Sequence, residues 1–148
     1  MPQEKTPRQH WLAVLARSTT EDLQAAFATL EPPPEHTLLR PPETGLVMVR
    51  GRAGGEGARF NLGEMTVSRC AVRLADGTVG HGYVAGRDTR KAELVAIFDA
   101  LLQDPDGGPA LRESLIAPLA RRLAERRKAE QARTDATRVD FFTLVRGD

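Results

Sequence analysis

The sequence predicts a single α+β domain: a small, mainly antiparallel sheet with N-terminal helices, a covering helix and a long C-terminal helix followed by an aromatic tail. Three observations carry this. Apolar residues recur at helical spacing in both flanks, the middle of the chain is rich in alternating and β-branched residues, and Asp76-Gly77 joins two such stretches by a connection too short for a parallel crossover. A chain of 148 residues has room for one domain, 1–148, and can bury roughly 70% of its unfolded surface. With 41% apolar but only 5% aromatic residues, the core must be built from Leu, Val, Ala and a few Phe.

The N-terminal helices occupy about 7–30. Thr6-Pro7 is a helix start with proline at the first position, and Trp11, Leu12, Val14 and Leu15 supply its apolar side. Thr20 is the expected cap of a second helix, Glu21 and Asp22 suit its first turn, and Leu23, Ala26, Phe27 and Leu30 repeat at helical spacing. Pro32-Pro33-Pro34 ends it, and Pro41-Pro42 predicts a second break.

The sheet is expected over about 44–84. Leu46-Val47-Met48-Val49, bounded by glycines, fits a strand covered on both faces. A second strand lies in Phe60–Leu74, with Cys70, Val72 and Leu74 on its inner face. Asp76-Gly77 predicts a two-residue primed turn into a strand Thr78–Val84. The C-terminal half, 88–136, is helical: Asp88 caps a helix whose Leu94, Val95, Ile97, Phe98, Leu101 and Leu102 form a broad apolar stripe. Gln103–Pro109 is a loop, and a long helix is expected from Leu119 to Ala136 with Pro118 in its first turn. That helix carries few large apolar residues, so it is either solvated or bound to something else.

Net charge is +1, with no whole-chain basic signature of a nucleic-acid binder. The single cysteine, Cys70, excludes an internal disulfide, the polar start MPQEKTPRQH resembles no export signal, and the apolar runs are too short for a bilayer. A soluble, cytoplasmic protein without membrane contact is expected.

Candidate chemistry is sparse. Arg52–Arg59 is glycine-rich and flanked by arginines, as a phosphate cradle could be, but it lacks the Gly-Lys-Ser/Thr ending and leads into a strand. A hairpin is the plainer reading. Arg52, Arg59, Arg69 and Arg73 remain a possible phosphate-binding set, with solvated arginines as the alternative. His10, His36 and His81 have no metal-ligand spacing, so no metal site is expected. Cys70 fits a small buried hydrophobe, and no catalytic set is readable. Arg121–Lys128 could meet nucleic acid, against which stand Glu125, Glu130 and Asp135 and the lack of interleaved aromatics. The tail RVDFFTLVRGD, 138–148, places Phe141, Phe142, Leu144 and Val145 beside Arg146 and fits a partner-binding anchor; an edge strand folded onto the chain's own sheet is the alternative.

RQHWLAVLA (Arg8–Ala16), the stretch Glu43–Leu74, DGTVGHGYVAGRD (Asp76–Asp88), KAELVAIFDALLQ (Lys91–Gln103), LIAPL (Leu115–Leu119) and the tail together resemble PhnG, the G-subunit family of the bacterial carbon–phosphorus lyase system for phosphonate breakdown. The resemblance runs end to end and is weakest at Glu31–Pro42 and Asp104–Pro109. It implies a two-fold core complex with the H, I and J subunits, with ATPase-like K and L subunits associated. It further implies that the G subunit, with H, I and L, is required to replace the adenine of ATP by a phosphonate, giving ribose 1-phosphonate 5-triphosphate. Nucleoside cleavage falls to the I subunit. Carbon–phosphorus cleavage, with an iron–sulfur cluster and S-adenosylmethionine, falls to the J subunit. No cofactor and no catalytic residue is implied for the G subunit. The expected role is therefore a structural or co-catalytic subunit, with direct binding of the ATP triphosphate, or a small nucleic-acid-binding protein, as alternatives.

Overall fold

In the computed structural model, the backbone of residues 4–52, 55 and 57–145 and the side chains of these up to Arg138 are described. Thr6 opens α1 (Pro7–Arg17) with a capping box: its hydroxyl accepts from the Gln9 amide at 3.2 Å, and its own amide donates to the Gln9 side chain at 2.9 Å. Helix α2 (Thr20–Ala28) is capped by Thr19 rather than Thr20, the Thr19 hydroxyl accepting from the Asp22 amide at 3.1 Å. Thr20 serves tertiary structure instead, donating to the Asp88 carboxylate.

Three antiparallel strands follow in sheet order β1-β2-β3: β1 (His36–Arg52), β2 (Arg59–Leu74) and β3 (Val79–Ala85). Pro41-Pro42 does not break β1. The pairing passes from Arg40 opposite Ala71 to Glu43 opposite Arg69, so the two prolines sit in a bulge. β1 is an edge strand, where a missing amide donor costs no ladder bond. The β2–β3 turn also differs from the two-residue expectation. Leu74 pairs with Thr78 around a three-residue loop, the Leu74 carbonyl accepts from the Gly77 amide at 3.0 Å, and Gly77 alone takes a positive φ, 91°. A type I turn followed by a left-handed glycine produces this geometry, with the Asp76 carboxylate accepting from the Thr78 amide at 2.9 Å. That bond holds the Asp76 carboxyl below its ordinary pKa.

Helix α3 (Thr89–Leu102) lies across the face of β2 and β3 that carries Cys70, Val72 and Val84. It approaches so closely that a Cβ at Gly80 or Gly82 would collide with the carbonyl oxygens of Ala96 or Ala92. The core then takes in Trp11, Leu15, Leu23, Ile97, Phe98, Leu102, Ile116 and Leu119, joining α1, α2 and α3 to the start of the C-terminal helices. Two buried polar hubs fix the assembly. The Ser68 hydroxyl donates to the Gly86 carbonyl at 2.7 Å and accepts from the Asp88 amide at 3.0 Å, seating the residue that caps α3. Asp99, fully buried on α3, accepts from Arg8, Trp11 and the His81 amide, which ties α1 and β3 to α3.

The expected loop Gln103–Pro109 is shorter, because α4 (Gly108–Leu111) already begins within it. A π turn, Arg112–Ile116, then runs directly into α5 (Ala117–Val145). Pro118 therefore lies inside a continuous helical run rather than at its start. Its ring has no amide to donate to Ser114, and the wider turn before it, closed by the Ala117 amide on the Arg112 carbonyl, takes up the misfit. Only the first turns of α5 pack: Leu119 is buried and Leu123 half-buried, whereas Ala124–Arg138 is exposed throughout. This exposed stretch is about 22 Å long at 1.5 Å per residue. The backbone of 138–145 continues the helix, so it forms no edge strand on the sheet.

Candidate partner-binding surface

The strands β1 and β2 outrun the rest of the domain. β3 ends opposite Val67, where Ala85 pairs with it and the Gly86 amide closes onto the Thr66 carbonyl at 2.8 Å. Beyond that line, among the described residues, Leu46–Arg52 and Arg59–Thr66 pair only with each other, forming a two-stranded ribbon. Leu46-Val47-Met48-Val49, expected to be covered on both faces, belongs to this ribbon. Leu46 is 63% and Met48 54% exposed, while Val47 and Val49 are half-buried. On β2, Phe60, Leu62 and Met65 are 45%, 62% and 41% exposed.

Pairing and alternation sort these residues by face. Val47 opposite Met65, Val49 opposite Gly63 and Gly51 opposite Phe60 share the face that α3 leaves open. A register shift between Val49 and Arg50 leaves Leu62 unpaired, lying against Gly51 on the same side. Farther along that face come Arg69, Arg73 and Tyr83, the last 52% exposed. The opposite face of the ribbon carries Leu46, Met48 and then, at the tip, Arg50, Arg52 and Arg59, with Arg52 and Arg59 direct cross-strand partners.

The four arginines singled out from the sequence thus fall into two groups. Arg52 and Arg59 meet at the tip, whereas Arg69 lies ten residues along β2 from Arg59, about 33 Å away at strand rise, on the other face. Arg69 is held by Glu43, Nε to Oε1 at 2.7 Å, an ion pair with both side chains nearly half exposed. Arg73 shares the face of Arg69 and pairs with Thr37 and Val79 along the ladder. Of the proposed tail, Phe141, Phe142, Leu144 and Val145 have helical backbone but their side chains lie outside the described residues, and Arg146 lies wholly outside them.

The remaining candidates have structural occupations. Cys70 is buried, and burial, followed by the nearby Glu93 carboxylate, pushes its thiol up to about 11. A thiol so placed is not a nucleophile at neutral pH. His36 sits 3.4 Å from Glu93 and His81 donates only its backbone amide to Asp99. Among the described residues no group of three His, Cys, Asp or Glu is placed to hold a metal ion, and no helix is long and apolar enough to cross a membrane. In the basic stretch 121–128, Arg122 and Arg126 pair with Asp22 at 2.9 and 3.3 Å, so two of its cations are directed at α2. The Arg112 guanidinium stacks over Trp11 at 5.6 Å. Asp99, Ser68 and the glycines of β3 carry much of the architecture and had no local sequence signal.

A protein-family model described as "Phosphonate metabolism protein PhnG" matches residues 6–147. The chain belongs to the PhnG family. A relative from Rhizobium meliloti (strain 1021), named as alpha-D-ribose 1-methylphosphonate 5-triphosphate synthase subunit PhnG, is 51% identical over 143 residues, covering 95% of this chain and 90% of the relative. The family match takes in the ribbon, the sheet and α5 together with Phe141 and Phe142.

Proposed function

We propose that the chain is a structural or co-catalytic subunit of a ribose 1-phosphonate 5-triphosphate synthase, acting in phosphonate catabolism. It works in the cytoplasm with the H, I and L subunits, within a core that also contains the J subunit and recruits the K subunit. ATP is the substrate of the assembly, and the iron–sulfur cluster and S-adenosylmethionine belong to the J subunit. The observation that carries the reading is the ribbon: large apolar side chains project from both of its faces beyond the domain's own helices. Such surface is normal for a subunit whose remaining contacts lie on other chains. Co-expression with the H and I subunits should give one stable species in size exclusion, with the chain alone associating nonspecifically. A monodisperse chain that ignores both partners would contradict the proposal.

A second reading keeps the tip arginines as ligands of the ATP triphosphate. It is favoured by the cross-strand pairing of Arg52 with Arg59 and by Arg50 on the same face. Guanidinium groups so placed can fork onto phosphate oxygens. Arg69 and Arg73 fall outside this cluster. Arg52→Ala with Arg59→Ala should then abolish synthase turnover in a reconstituted complex that still assembles; normal turnover would dispose of the reading.

A further inference from the structure

We propose that the ribbon Leu46–Arg52/Arg59–Thr66 is a docking arm that seats in an apolar groove of another synthase subunit, with carboxylates of that subunit meeting Arg50, Arg52 and Arg59. This rests on the subunit reading above and specifies where the contact is made. The first support is mechanical. A two-stranded ribbon is at best marginally stable in water and needs a third strand or a packed layer. Among the described residues no third strand pairs with it past Val67, and Leu46, Met48, Phe60, Leu62 and Met65 stay exposed. The ribbon extends about 23 Å beyond that point for seven residues at strand rise, and Phe60, Leu62 and Met65 line its open face with Val47 and Val49.

The second support is electrostatic. Like charges placed directly opposite one another across strands are unfavourable, yet Arg52 faces Arg59 with Arg50 two positions away on the same face. Among the described residues none of the three forms an ion pair; Arg40 and Arg69, nearer the domain, share Glu43 instead. Carboxylates from outside the chain relieve that repulsion. The same charges argue against a second copy as the occupant, since symmetric pairing of two tips would set arginines against arginines.

The ribbon's side chains are exposed, so altering them should leave the domain fold intact. Phe60→Ser with Leu62→Ser, and separately Arg52→Glu with Arg59→Glu, should each weaken association with the co-purified H and I subunits by about tenfold or more, the scale of losing an interface anchor. Wild-type association should weaken as salt is raised, and that dependence should disappear or invert in the charge-reversed variant. Tyr83→Ser, on the open face away from the ribbon, serves as the control and should leave association unchanged. Amides of residues 59–66 should exchange at least about tenfold more slowly in the assembled complex than in the chain alone.

Ribbon variants that assemble like wild type, or ribbon amides equally fast in both states, would overturn the arm while leaving the subunit reading intact. Failure of the wild-type chain to assemble at all would overturn both. Homodimers of the chain alone that the Phe60/Leu62 variant abolishes would assign the arm to a second copy and overturn the proposal. Loss of turnover in Arg52→Ala/Arg59→Ala with wild-type affinity and salt dependence would overturn the carboxylate partner and give those arginines to the triphosphate.

Discussion

Replacing Asp99 by Asn should destabilise the domain out of proportion to a change of one atom. Oδ1 accepts from Arg8 Nε at 3.1 Å and from Trp11 Nε1 at 2.9 Å, and Oδ2 accepts from Arg8 Nη2 at 2.8 Å and from the His81 amide at 2.9 Å. An amide must place its NH2 where one oxygen stood, so either orientation sets donor against donor at two contacts. Arg8, with 42% of its side chain exposed, can turn to water. The indole N–H of Trp11 or the His81 amide cannot follow. One stranded buried donor costs about 1–3 kcal/mol, and the lost charge-assisted bonds to Arg8 add to it, for a total of about 3 kcal/mol. At roughly 3 °C per kcal/mol for a domain of this size, the melting temperature should fall by about 10 °C. Thermal unfolding followed by circular dichroism and by Trp11 fluorescence reads this directly. A shift under about 2 °C would refute the idea that this carboxylate pins α1 and β3 to α3.

Three further outcomes follow from the packing. Gly82→Ala should cost at least about 2 kcal/mol, because the added methyl meets the Ala92 carbonyl and α3 must lift off β3; denaturant unfolding indistinguishable from wild type would contradict the close approach. Cys70 ionises near 11 rather than at the ordinary 9.0, so the native chain should resist an aromatic disulfide reagent at pH 8 and react near pH 11. Because the thiol pKa is raised on folding, its contribution to stability is full below pH 9 and is lost as pH climbs towards 11; rapid stoichiometric labelling of folded protein at pH 8 would overturn this. Truncation after Arg138 should leave the melting temperature within about 3 °C, since α5 is exposed over Ala124–Arg138 and makes no buried contact there, but should weaken the complex if Phe141, Phe142, Leu144 and Val145 anchor a partner. Unfolding of the truncated chain would show that the tail serves its own domain.

Where structure is decided by neighbours in the chain, the sequence was legible. Thr6-Pro7 and Asp88 mark helix starts through bonds spanning three residues, and the apolar stripe of α3 names its own buried face. Rules about proline and apolar runs failed where their consequence depends on position in the fold. Pro41-Pro42 predicts a break only if the missing amide matters, and on an edge strand it does not. Pro118 predicts a helix start only if no π turn precedes it to absorb the misfit. The run Leu46–Val49 shows apolarity but not what covers it, and among the described residues Leu46 and Met48 stay more than half exposed. The candidate arginines divide for the same reason: Arg52 meets Arg59 through a register set across the hairpin, while Arg69 and Arg73 lie beyond strand distance on the other face. Asp99 left no trace at all, since its donors come from positions 8, 11 and 81.

The subunit role is tested most directly by a drop-out reconstitution of the synthase, measuring ribose 1-phosphonate 5-triphosphate formed from ATP and a phosphonate by the H, I and L subunits with and without this chain. Product should form only when the chain is present, and none from the chain alone. Full product formation without it, or by the chain by itself, would contradict that role.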